Sequence, residues 1–320
     1  MDPPRRSGWL PVWYRFRRDR LALFGGAFIV LLVLVAILAP VLPIRNPNHG
    51  YYELLPANGQ PVAPGAMFVL GSDANGRDLF SRIIWGSRVS LFIGFVANGL
   101  ALVVGVTVGI LAGYFGKWVD TVLMRFTDVM MAFPVLLFSI ALIAILQRSG
   151  NVLVIAAVIA LFYWTAVARI VRGQVLSLRE KEFIEAARAI GGRPIRILVG
   201  HILPHLTPIL LVYGTIGIAT SISTESILSY IGIGVQAPTA DWGKMVSDGQ
   251  GDLQIAPWLV IFPGLMIMAT VLAFNLVGDG LRDALDPRQR SLSRRAFGGV
   301  LAGGQALAGQ LARQSEAESV

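Results

Sequence analysis

Six stretches of this chain carry no Asp, Glu, Lys or Arg over roughly the 20 residues that a helix needs to cross a bilayer core. They are residues 21–44, 89–116, 129–147, 149–168, 197–224 and 253–278. In lipid every backbone polar group must be satisfied within its own segment, so such runs are expected to be helices. Composition agrees. Only 14% of the 320 residues are charged and the mean hydropathy is +0.66, whereas soluble domains are roughly 25% charged. There is no cysteine, which excludes disulfides and thiolate metal sites. The expectation is an all-α membrane protein with six transmembrane helices near 21–43, 89–112, 121–146, 151–170, 208–231 and 258–279. The first run is too long for the apolar core of a secretory signal, and no small-residue cleavage site follows it, so it reads as a retained anchor.

Six spans place both termini on one side. All of the 27 basic residues except Arg45, Arg77, Arg82, Arg88, Arg148 and Lys244 then share that side. The positive-inside rule makes it the cytoplasm. This asymmetry also accounts for the net charge of +8, and no nucleic-acid partner is implied. The resulting organisation is a cytoplasmic basic arm at 1–20, a first span at 21–43 and an external loop at 44–88. A larger transmembrane unit at 89–286 and a disordered cytoplasmic tail at 287–320 complete it. Trp9, Trp13 and Tyr14 suit the arm to a membrane interface or to solvent.

Local features add detail. Asp73, Asn75 and Gly76 favour a turn, and Asp78 can cap a short helix leading into the second span. Gly105, Gly109 and Gly113, at steps of four, line one helix face and permit close approach of another helix. Pro134 is expected to kink the third span. The segment 232–257, with Trp242, is long enough to fold back onto the protein. Glu225, near the outer end of the fifth span, reads either as a structural hydrogen-bonding group or as part of a substrate path.

Catalytic chemistry is missing. No phosphate-binding loop occurs, because Gly116-Lys117 lacks the upstream glycine spacing. His201 and His205 share a helical step of four but have no third ligand nearby. No ladder of buried carboxylates runs through the spans. An energy source within the chain is therefore missing, and if the chain is a transporter a partner must supply the work.

One island stands out against this background, residues 182–204, reading EFIEAARAIGGRPIRILVGHILP. Its first half is rich in helix formers, with Phe183, Ile184, Ala187 and Ile190 on an apolar face. Gly191 and Gly192 should end that helix, one of them in a left-handed conformation. Pro194 suits the start of a second helix carrying Ile195, Ile197, Leu198 and Ile202, and Pro204 precedes the fifth span. A helical hairpin rooted in two spans would move both when pulled.

Glu185-Ala186-Ala187, then Gly191, then Leu203-Pro204 resembles the EAA loop of permease subunits of binding-protein-dependent ABC importers. Further stretches are similar to the dipeptide/oligopeptide permease family: Gly71 through Asp78, Arg88-Val-Ser-Leu, Gly113-Tyr-Phe-Gly, Phe133-Pro134, Arg169-Ile-Val-Arg-Gly-Gln, Ala256-Pro-Trp258 and residues 273–287. The chain looks like a C-type subunit over residues 10–290. His201 and His205 depart from the usual pattern.

The resemblance implies a type I ABC importer permease fold in a bacterial inner membrane, multi-pass, with both termini cytoplasmic. It implies a second, B-type permease subunit, two cytoplasmic ATPases that carry ATP and Mg, and an external solute-binding protein. This chain itself would hold no cofactor or metal, would be no enzyme, and would touch membrane lipid. Glu185 would make polar contacts to the ATPase, Ala186 and Ala187 would permit close approach, and Gly191 would form the turn. Leu203 and Pro204 complete the coupling motif. The transported solute would be di- or oligopeptides; nickel, glutathione, opines or another small solute is the alternative within the family. A self-sufficient secondary transporter is the alternative outside it.

Overall fold

A computed structural model describes residues 10–146 and 150–285, which are helical with no strand among them. Arg5, Arg6, Trp9, Arg148 and the expected tail at 287–320 lie outside the described residues. The helices run α1 (Leu10–Phe16), α2 (Arg20–Leu38), α3 (Leu79–Phe115), α4 (Lys117–Ala132), α5 (Val135–Leu146), α6 (Val152–Arg179), α7 (Glu182–Ala189), α8 (Pro194–Ile197), α9 (Leu203–Tyr230), α10 (Trp242–Gly249) and α11 (Trp258–Leu285).

α2 starts where Asp19 accepts hydrogen bonds from the Leu21 and Ala22 amides, at 2.9 and 3.2 Å. Two of the donors orphaned at a helix start are thereby satisfied. α1 lies against the end of α11, with Arg15 Nη1 donating to the Ala284 carbonyl at 3.2 Å. α3 begins ten residues before the expected span at 89. Asp78 caps it through the Ser81 amide at 2.8 Å, and no proline interrupts the stretch up to Phe115. A separate short helix does not form. The irregular segment before it is therefore shorter than the expected 44–88 loop. Asp73 organises its turn by accepting from the Asn75 and Arg77 amides.

α3 crosses α6 along Gly105, Gly109 and Gly113. A Cβ at Gly105 or Gly109 would lie 2.6 Å from the Trp164 or Ala168 carbonyl oxygen, and one at Gly113 would lie 2.7 Å from Val175 Cβ. The backbones meet because these positions have no side chain.

The third span is not one kinked helix. α4 and α5 meet at 86° across Phe133-Pro134. Proline disfavours the helical region for the residue before it, and Phe133 is extended at φ −83°, ψ 131°. The two pieces still connect opposite ends of α6. Asp120 near the start of α4 accepts from Arg172 Nε and Nη2 near the end of α6, at 2.5 and 2.6 Å. Arg169 pairs with Asp128 one turn away. Asn151 caps the start of α6. Among the described residues, five helices are long and apolar enough to cross a bilayer, and the count rises to six if the bent pair α4–α5 is one broken span. The Asp120–Arg172 pair is partly exposed but bidentate, so Asp120→Asn should lower stability by about 1 kcal/mol. Thermal unfolding in detergent reads this; an unchanged Tm would remove the pair from the account.

The fifth span also differs from expectation. It was placed after Pro208, with Pro204 as a boundary. Instead the chain is helical from Pro194 to Tyr230. A π turn at Leu198–Ile202 joins α8 to α9 and gives the chain the slack to carry Pro204 in the first turn of α9. Beyond α9 the chain folds back. Trp242 at the start of α10 is fully buried, and its Nε1 donates to the Ile83 carbonyl at 3.0 Å.

Candidate functional site

The polar island forms a compact hairpin at one end of the bundle. Glu182 and Glu185 sit in the first turn of α7 and Arg188 in the last, the arrangement favoured by the helix dipole. The helix ends in a Schellman turn. The Gly192 amide donates to the Ala187 carbonyl at 3.0 Å, and the Gly191 amide donates to Arg188 at 2.9 Å. Gly191 takes φ +78°, which L-residues resist.

The hairpin has an inner and an outer face. Ile184, Ala187, Ile197, Leu198 and Ile202 form one buried cluster with Val171 and Val175 of α6 and Leu206 of α9. Hairpin and spans therefore share a core. Phe183 stacks on His205 of α9 at 5.1 Å. Arg188 lies over the Tyr114 ring at 4.9 Å, and Arg179 Nη1 donates to the Gly113 carbonyl at 3.1 Å. The shared cluster, Phe183 and Arg188 bind the hairpin to α6, α9 and α3, and Arg179 ties α6 to α3 beside it.

The outer face is unlike an ordinary solvated surface. Ile190, at the end of the first limb, is 87% exposed, and Ile195 and Val199 on the second limb are 66% and 57% exposed. The expected apolar face thus splits. Ile184 and Ala187 point inward, while Ile190 points out and Phe183 stays partly exposed, because an eight-residue helix cannot turn all four toward one neighbour. Glu185, Ala186 and Gly191 are exposed, Ala187 is buried, Leu203 is half-buried in the shared core, and Pro204 is exposed. A hollow of about 520 Å³ opens at the turn, bordered by Ile190, Gly191, Arg193, Ile195 and Arg196. The sequence reading missed Ile190, Ile195 and Val199 as surface groups. Three large aliphatics around a Gly-Gly turn exceed what two short helices can bury, and that was the available signal.

A second polar site lies near the far end of α9. Glu225 is fully buried, and its Oε1 accepts from Ser229 Oγ at 2.7 Å. Its carboxyl adjoins Asp241 and Ser90. Ser90 Oγ donates to Asp241 Oδ2 at 3.2 Å, and Asp241 Oδ1 caps α10 through the Lys244 amide at 2.9 Å. Ser90 and Asp241 thus tie α3 to the cap of α10, while Glu225 bonds within α9 and its Oε2 is buried without a hydrogen-bond partner. Among the described residues, no group of three His, Asp or Glu side chains is placed to hold a metal.

Comparison with known proteins bears directly on this architecture. Residues 105–291 match the family model of the binding-protein-dependent transport system inner membrane component. Residues 7–57 match the N-terminal TM domain of oligopeptide transport permease C. The chain is 44% identical over 285 residues to a dipeptide transport system permease protein, DppC, of Alkalihalophilus pseudofirmus, covering 89% of this chain and 91% of that one. It is 42% identical to a glutathione transport system permease protein, GsiD, of Pectobacterium atrosepticum, covering 91% and 94%. Among solved structures, inward-facing forms of the MetNI methionine ABC transporter share the fold. One superposes with a TM-score of 0.52 at 19% identity, over 64% of this chain and 97% of the other.

Proposed function

Because the chain belongs to the family of binding-protein-dependent transport system inner membrane components, we propose that, as an ABC importer permease subunit and not an enzyme, it forms part of the path by which di- and oligopeptides cross the bacterial inner membrane. Membership of such an importer brings ATPase and substrate-binding partners with it. The second subunit of the path is a B-type permease, and two ATPases carrying ATP and Mg bind the hairpin. Both termini and the hairpin face the cytoplasm, as the distribution of arginines supports.

The observation that carries this reading is the two-faced hairpin. Its inner side is one core with α6 and α9, and its outer side presents Ile190, Ile195 and the Gly191 turn with charged neighbours. Glu185 supplies a polar contact, Ala186 allows close approach, and Ala187 keeps α7 tight against the hairpin's second limb. Leu203 and Pro204 root the motif in α9. An ATPase that grips the outer face moves the spans through the shared core.

A peptide substrate agrees with the name of the DppC relative. Glutathione, itself a tripeptide, is the second reading, favoured by GsiD relatives of nearly equal identity. The test is purification of the intact assembly in mild detergent and mass spectrometry of its subunits and of the ligand held by the binding protein. A second permease, two ATPases and a short peptide are expected. Nickel or an opine as ligand would remove the peptide assignment. Ion-driven flux by this chain alone would sink the importer mechanism.

A further inference from the structure

Away from the hairpin, α2 and α3 leave an apolar groove of about 290 Å³ between Val33, Ile37, Leu91, Phe92 and Phe95. Ile37, Phe92 and Phe95 are exposed, so the groove faces outward from the bundle. Arg88 also borders it. Ile37 is one residue from the end of α2, which sets Arg88 near the depth of a lipid headgroup rather than at the bilayer centre. The Arg88 guanidinium lies over the Trp85 ring at 5.0 Å.

Trp85 also lines a second hollow, of about 330 Å³, with Arg45, Asn46 and Asn48. Arg45 is held between the rings of Tyr51 and Phe68, at 4.9 and 4.5 Å. Its Nη1 is sealed from solvent and has no acceptor. Among the described residues, neither arginine forms an ion pair.

Arg45, clamped between those rings, belongs to this separate hollow, whereas Arg88 lies over Trp85 and borders the acyl-sized apolar groove. We propose that the groove is a binding site for an anionic phospholipid, its phosphate on Arg88 beside Trp85 and one acyl chain along α2 and α3. A guanidinium at the membrane boundary is costly without an anion, and Trp beside Arg suits the headgroup layer. A protein helix in the same groove would cover Arg88 without supplying an acceptor. The phosphate supplies both charge and acceptors.

The test uses the assembled transporter in vesicles with phosphatidylglycerol or phosphatidylcholine carrying the same photoreactive acyl chain. Phosphatidylglycerol should label residues 33–37 and 91–95 about fivefold more than phosphatidylcholine, the effect of one favourable cation contact at a membrane surface. Unlabelled phosphatidylglycerol should compete and phosphatidylcholine should not. Arg88→Gln should erase the preference, and Arg88→Lys should keep most of it. Equal labelling by both lipids would overturn the proposal, as would a groove protected by a neighbouring subunit. If Arg88→Gln fails to insert, competition on the unaltered chain alone decides.

Discussion

Gly191→Asp is expected to cut coupled uptake at least about tenfold while the chain remains folded in the membrane. The direction follows from two separate costs. The residue sits at φ +78°, where an L-residue loses about 1–2 kcal/mol and Asp somewhat less. A Cβ there meets nothing within 4 Å, so no clash adds to that cost and the hairpin survives. The larger cost arises on docking. A carboxylate at the turn would sit beside exposed Ile190 and Ile195 and answer Arg193 and Arg196 in the same hollow, changing both the shape and the charge of the surface we propose the ATPase covers. Gly191→Asn separates the two costs, since Asn tolerates the left-handed region and adds no charge; most uptake should persist. Vesicle uptake measured beside ATP hydrolysis reads the outcome. Normal uptake by the Asp variant would remove the turn from the docking surface.

Gly109→Val should prevent accumulation of folded protein, whereas Gly99→Val on the same helix should not. At Gly109 a Cβ would stand 2.6 Å from the Ala168 backbone oxygen and 2.7 Å from Val171 Cβ. Backbone cannot step aside, so α3 and α6 must separate along a crossing that also includes Gly105 and Gly113. Overpacking of this kind costs about 1–3 kcal/mol or more at one site, and the loss spreads because the three positions share one seam. At Gly99 nothing lies within 4 Å, and the same valine meets open space. Both variants change helix propensity equally, so their difference isolates packing. Size-exclusion profiles in detergent measure it, and matching profiles would contradict the packing account.

Much of the bundle was legible because lipid imposes strict rules on sequence. Charge-free runs marked the spans, and the four-residue glycine step marked the α3–α6 seam. The turn at Gly191 was legible for a local reason, since two glycines after a strong helix former allow few alternatives. The misreadings also have local causes. Pro134 was read as a kink, but the 86° break depends on where α4 and α5 each find partners, and the Arg172–Asp120 and Arg169–Asp128 pairs are far apart in sequence. Pro204 was read as a boundary because a π turn leaves no compositional trace. The outward aim of Ile190 and Ile195 depends on how little of a short hairpin can face its own core, which periodicity alone does not reveal. Glu225 could be flagged from its depth, but its neighbours Ser90 and Asp241 come from elsewhere in the chain.

The continuous helical run from Pro194 to Tyr230, π turn included, has a mechanical consequence. At 37 residues and 1.5 Å per residue it is a rod of about 55 Å. Its near end is the hairpin, and its far end carries Glu225 against Asp241 and the cap of α10. Pivoted at its middle, a tilt of about 5° displaces each end by about 2 Å in opposite directions. That is enough to shift Glu225 relative to Asp241 of the α10 cap, while Ser229, on the same rod, moves with it. Under the proposed coupling role the chain is a lever, with the Ile184–Ile202 contact at one end and the Trp242 segment at the other.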